Sequence, residues 1–231
     1  MKKSILFVLA AGCLLQAGCA ARRSAWTVPA DLTQGAAERM VADAVAAGKL
    51  PDLLEAAETT VFPNDEERMA EILRAALATG ALNETQTATA EWMLHDVCEV
   101  NAPGSKAADF MFGTLTKASL TLHDYLPGKP LVLLFYDPDC DHCREVIDEL
   151  SAIGSQIDVL AVDIAGNEKR WRQSVSLLPE DWTAAFDRSG ILGNDTYVIR
   201  SMPSVYLLDA DRKVVLKNPT PERLLKHLET K

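Results

Sequence analysis

The sequence predicts an all-α module followed by an α/β domain, and three observations carry that reading. From residue 36 to about residue 100, apolar residues recur at helical spacing. Asn101-Ala102-Pro103-Gly104-Ser105 then breaks the pattern. Beyond it, the continuous apolar run at 131–136 and a second buried strand at 157–164 alternate with amphipathic stretches, as strands buried on both faces do beside helices.

The helical part reads as about four short helices. Ala37, Met40, Val41, Ala44 and Val45 form a first apolar face, and Leu50, Leu53, Leu54 and Ala57 a second. Asn64 with Glu67 has the form of a capping box ahead of Met69, Ile72, Leu73, Ala76 and Leu77, with Gly80 as the stop. Asn83 opens a further helix that turns Ala90, Met93, Leu94 and Val97 inward. In the second part, residues 110–112 and 119–122 read as short edge strands. The turn Pro127-Gly128-Lys129-Pro130 leads into the first buried strand. Residues 168–177 read as a helix, 202–208 and 213–217 as a hairpin, and 221–228 as a closing helix with Pro near its start.

The chain has 231 residues, 48% hydrophobic and 24% charged, which suits a globular protein. Acids outnumber bases 33 to 23 with no basic cluster, which argues against a nucleic-acid partner. Lys2 and Lys3 precede an apolar run from residue 5 to 15 that is too short to span a bilayer and suits a signal peptide. Leu15-Gln16-Ala17-Gly18-Cys19 follows. It resembles the lipobox of bacterial lipoproteins, although Gln16 stands where that family prefers Leu, and Cys13 is a second candidate. The resemblance implies residues 1–18 as a lipoprotein signal peptide, lipidation at Cys19, and 19–35 as a tether. A helical domain of unknown role at 36–100 and the α/β domain at 105–231 complete the layout. Stable anchoring needs more than one acyl chain.

Chemistry concentrates at Cys140-Asp141-His142-Cys143, where the first buried strand gives way to a helix. Cys143, Val146, Ile147, Leu150 and Ile153 share one helix face, so Cys143 points inward. Cys140 lies at the first turn, where unpaired N–H groups and the helix dipole stabilise a thiolate. Cys140 is therefore the expected attacking thiol and Cys143 the resolving one. His142 and Arg144 favour the thiolate, while Asp137, Asp139 and Asp141 oppose it. On that balance the couple is expected nearer the thioredoxin end of the scale, roughly −270 mV, than the DsbA end, roughly −120 mV. Cys98, among apolar neighbours, reads as a buried small hydrophobe, and Trp171 and Trp182 read as core.

The stretch from Phe135 through Cys140 to Arg144 resembles the active site of thioredoxin-like envelope oxidoreductases of the TlpA/ResA kind. Ser201-Met202-Pro203-Ser204-Val205-Tyr206 resembles that family's proline loop. The resemblance implies a thioredoxin-like α/β fold, a central mixed sheet with flanking helices, behind a small all-α domain. It implies Pro203 as a cis-proline facing the dithiol, Met202 before it, and His142 within the motif as a supporting residue. It further implies a redox disulfide Cys140–Cys143 without other cofactor, protein thiol or disulfide substrates, and an upstream thiol donor. The location implied is the envelope of a Gram-negative bacterium, by lipid anchor, facing the periplasm. The family often has Pro where Asp141 stands. Thioredoxin's buried Asp, six places before the first cysteine, is here Leu134, so the base for Cys143 is open among Asp137, Glu180 and water.

Other chemistries fit less well. Zinc needs about four ligands, and His95, His123 and His227 show no ligand spacing. A c-type haem needs His where Arg144 stands, and a peroxidatic cysteine of the peroxiredoxin pattern needs Thr where Asp137 stands. The rival reading is a binding protein in which the fold presents a peptide groove, the helical half docks a partner and the dithiol is incidental.

Overall fold

The computed structural model describes Val28, residues 35–62 and residues 65–229, without the side chains of 153–155. Cys13, Cys19, the signal segment and the cap expected at Asn64 lie outside the described residues.

Four helices come first: α1 (Ala36–Ala46), α2 (Leu50–Thr60), α3 (Glu66–Ala78) and α4 (Glu84–Trp92). Their apolar faces close on one another in a core that includes Val41, Leu53, Ile72, Met93 and Val97. The cap of α3 is Asp65, which accepts from the Arg68 N–H. Asn83 and Gln86 form a reciprocal capping box at α4. The last turn, Met93–Cys98, widens to a π-helix and buries Cys98. Burial pushes the Cys98 thiol up to about 12, which suits an inert packing group.

A seven-stranded mixed sheet follows: β1 (Met111–Thr114), β2 (Leu120–Thr121), β3 (Leu131–Tyr136), β4 (Asp158–Asp163), β5 (Thr183–Asp187), β6 (Ser204–Leu208) and β7 (Val214–Lys217). The spatial order is β2-β1-β5-β4-β3-β6-β7. β3 pairs parallel with β4 and antiparallel with β6, so it lies inside the sheet next to the central strand β4. All six of its side chains are buried, each large one stabilising the fold by about 1.5–3 kcal/mol. Strand alternation turns Val132, Leu134 and Tyr136 to one face, with Val159 and Ala161 beside them. Helices α5 (Asp141–Leu150) and α8 (Pro221–Glu229) supply Cys143, Val146, Ile147, Leu150 and Leu224 to that face. Leu131, Leu133 and Phe135 face the other side, against Phe110, Ile191, Tyr197 and Tyr206. Helix α6 (Glu168–Ser174) runs on into a 3-10 turn, and the short α7 (Ile191–Asn194) precedes the proline loop.

The sequence reading has no counterpart for β5 and α7, and β1 is an interior strand paired on both sides. The remaining strands and helices lie within a few residues of expectation. Trp171 and Trp182 are buried in the core.

Arg212, in the β6–β7 turn, is 3% exposed and donates to the carbonyls of Leu122, Tyr125, Leu126, Lys129 and Asp209. It fastens the segment that leads into β3. Arg212→Met leaves those carbonyls without their donor, and a loss of about 3 kcal/mol or more is expected. A urea denaturation midpoint checks this.

Candidate active site

β3 delivers the chain to the site. After Tyr136, residues 137–139 turn, the Asp139 N–H donating to Asp137 Oδ1 at 2.9 Å, and Cys140 takes the N-cap position of α5. The Cys140 sulfur does the work that Ser or Asp usually does at a cap: it accepts the Cys143 N–H at 3.2 Å. It also lies 3.8 Å from the carbonyl oxygen of Met202, to which its S–H donates. The Met202–Pro203 peptide bond is cis. Cys140 is half-buried and Cys143 fully buried, and both are free thiols. The first sulfur is therefore open to a partner, with a backbone carbonyl and a helix end beside it.

Burial pushes the Cys143 thiol up to about 12, and the nearby Cys140 sulfur adds to the effect, while the Asp137 backbone N–H works against it. An ionised Cys143 thus needs a proton acceptor. Leu134 is apolar and buried, Glu180 is exposed, and Asp137 is held in an ion pair. The residue that sequence reasoning missed is Asp163, the last of β4 and 0% exposed. It pairs in register with Tyr136. Alternation turns it to the same sheet face as Ala161, Tyr136 and Cys143. Its Oδ1 accepts the Ala165 N–H at 2.8 Å, and its buried Oδ2 has no partner within hydrogen-bond distance. Burial raises its pKa, and Arg170 pulls it down less strongly than burial raises it. Tyr136 stands next to both groups. Its hydroxyl pKa is raised first by burial, then by Asp163, with Cys143 adding a smaller push and Ser174 opposing. Tyr136, Cys143, Asp137 and Ser174 line a cavity of about 160 Å³.

The acids around the motif are paired. Arg170, from α6, bonds Asp137 at 3.1 Å and also Asp139. Arg144 pairs with Asp141. The repulsion expected from three bare carboxylates is therefore offset by Arg170 and Arg144. Arg170→Ala unpairs two acids beside Cys140 and disfavours its thiolate. A shift of the potential to more negative values is expected, about 30 mV for each ~1.4 kcal/mol of lost stabilisation. A glutathione redox titration reads it.

His142 is exposed and pairs with Glu145 at 3.3 Å, and it shares a groove with Pro203 instead of touching either sulfur. Thus Cys140, Cys143, Met202 and Pro203 come together, and His142 stands at the rim. Among the described residues, no cluster of three or more His, Cys, Asp or Glu could hold a metal ion.

Residues 103–217 match the AhpC/TSA family. A thioredoxin-like protein from Bacteroides caccae superposes with a TM-score of 0.74 at 24% identity, over 85% of this chain and 76% of that one. A conserved protein of unknown function from Bacteroides fragilis is 30% identical, with a TM-score of 0.51, over 55% of this chain and 98% of that one. The C-terminal domain of a proposed thiol-disulfide oxidoreductase from Bacteroides thetaiotaomicron has a TM-score of 0.51 at 22% identity, over 56% and 95%. No curated protein matches the chain. The match over residues 103–217, the mixed sheet and the B. fragilis relative agree: the chain belongs to the thioredoxin-like AhpC/TSA family.

Proposed function

We propose that the protein is an envelope thiol–disulfide oxidoreductase that reduces protein disulfides through Cys140 and Cys143. One observation carries the reading: an accessible sulfur caps a helix, with its partner one turn behind it and fully buried. The Cys140 thiolate attacks a substrate disulfide, forming a mixed disulfide and releasing one substrate thiolate, which takes a proton from water. Cys143 gives its proton to the buried Asp163 carboxylate, which neighbours Tyr136 in register, and attacks the Cys140 sulfur. The Cys140–substrate bond breaks, Cys140–Cys143 forms, and the second substrate thiolate leaves and takes up the proton that Asp163 releases. Two electrons pass from the dithiol to the substrate, and an upstream thiol donor restores the enzyme. The carbonyl of Met202 and the rim at His142 and Pro203 receive the substrate backbone.

The lipobox-like residues before Cys19 support a lipid anchor facing the periplasm. The test is insulin reduction with a thiol donor. Cys140→Ser should lower the rate about a thousandfold, to the uncatalysed level. Equal rates for wild type and Cys140→Ser would favour a binding protein instead.

A further inference from the structure

Glu66 opens α3, far from the dithiol in sequence, yet it is buried to 6% exposure. Four groups account for that. Lys217 Nζ lies 2.7 Å from one carboxylate oxygen, and Arg200 Nη2 is 3.0 Å from the other. Asn218 Nδ2 donates to the same oxygen at 2.9 Å. The carboxylate also sits at the positive end of its own helix. Lys217 in turn donates to the carbonyls of Val97 and Val100, at 2.7 Å each, which closes the end of the π-turn. Arg200 lies over the Phe62 ring at 3.6 Å.

What matters is where these partners stand. Arg200 is two residues before Met202. Asn218 is bonded to Val205, two residues after Pro203: the Asn218 N–H donates to the Val205 carbonyl at 2.7 Å, and the Val205 N–H donates to Asn218 Oδ1 at 3.3 Å. One carboxylate of the N-terminal helices therefore holds both ends of the proline loop. Arg200 and Asn218 also line a groove of about 310 Å³ with His142, Glu149 and Pro203.

We propose that Glu66 is a positioning residue for substrate binding: by fixing Arg200 and Asn218 it sets the groove beside Pro203, and it makes the N-terminal helices part of the substrate-binding apparatus. The kinetic part of this proposal rests on the oxidoreductase reading, and the backbone part does not. A protein disulfide must lay its chain along the groove, whereas a small disulfide needs only the Cys140 sulfur. Loosening the groove therefore separates the two substrates.

The experiment uses the full chain with Glu66→Gln, which keeps the shape and removes the charge, and Phe62→Leu, which keeps every charge and removes the ring under Arg200. For Glu66→Gln, KM for insulin should rise about fivefold with kcat changed less than about twofold, and dithiobis(nitrobenzoate) should react at the wild-type rate. Amide exchange at residues 201–205 should quicken about tenfold, with β3 unchanged. Phe62→Leu should move both readouts in the same direction by less. Unchanged exchange at 201–205 in either folded variant overturns the proposal. So does an equal loss with both disulfides, which marks a structural role alone. If the wild type reduces no insulin, the oxidoreductase reading falls, and the exchange measurement still decides the role of Glu66.

Discussion

Cys143→Ser should accumulate a mixed disulfide between Cys140 and its protein substrate, visible on a non-reducing gel and lost on adding a thiol reductant. The half-buried Cys140 sulfur meets a partner, whereas Cys143, buried behind it, meets only the Cys140 sulfur. Removing the resolving thiol leaves attack intact and blocks release. Multiple-turnover reduction should therefore fall about a thousandfold while the first attack stays within a few-fold of wild type. The same trap in Cys140→Ser should stay empty. A mixed disulfide formed through Cys143 in that variant would reverse the two roles. The captured partner also names the substrate, which neither the sequence nor the fold states.

Asp163→Asn should slow resolution of the mixed disulfide about a hundredfold near neutral pH, as expected for loss of a positioned base. The deficit should shrink as pH rises toward the Cys143 value of about 12, because hydroxide then does the work. Stability should move the opposite way. Burial raises the Asp163 pKa above 3.8, so the folded state holds a proton that the unfolded state has released in the window just above that value. Stability contributed by this group therefore falls as pH rises through the window. The groups acting on it are Arg170 from α6, Asp137 and Asp139 from the loop, and Tyr136 from β3. Asparagine does not titrate, so the variant should be more stable at pH 7 and should lose this pH dependence. A variant that is both slower and less stable would point to plain damage.

The two central strands, the amphipathic face of α5 and the cap at Asn83 were all legible, because each is written in contiguous residues with a fixed period. The sulfurs and the proline loop were legible as short motifs. β5 was not: Thr183-Ala184-Ala185-Phe186-Asp187 has little β-branched content, and its strand state comes from the neighbours β4 and β1. Asp163 had a signal, an acid following four apolar residues, but its burial depends on packing across the sheet. The pairing of Asp137 and Asp139 with Arg170, some thirty residues on, leaves no local trace. Glu66 reads as an ordinary first-turn acid, since its partners come from the far end of the chain.

That last separation bears on how the chain is made. Asn218 and Glu66 are 152 residues apart, and the N-terminal helices leave the ribosome long before β7 exists. Until β7 arrives, the Glu66 carboxylate lacks Lys217 and Asn218, and the Val97 and Val100 carbonyls lack their Lys217 donor. The helices can gather early, since their contacts are local, but their joint to the sheet is complete only once β7 has emerged. A nascent chain halted before residue 217 therefore carries a loosely attached head, and Lys217 and Asn218 complete the joint to the N-terminal helices.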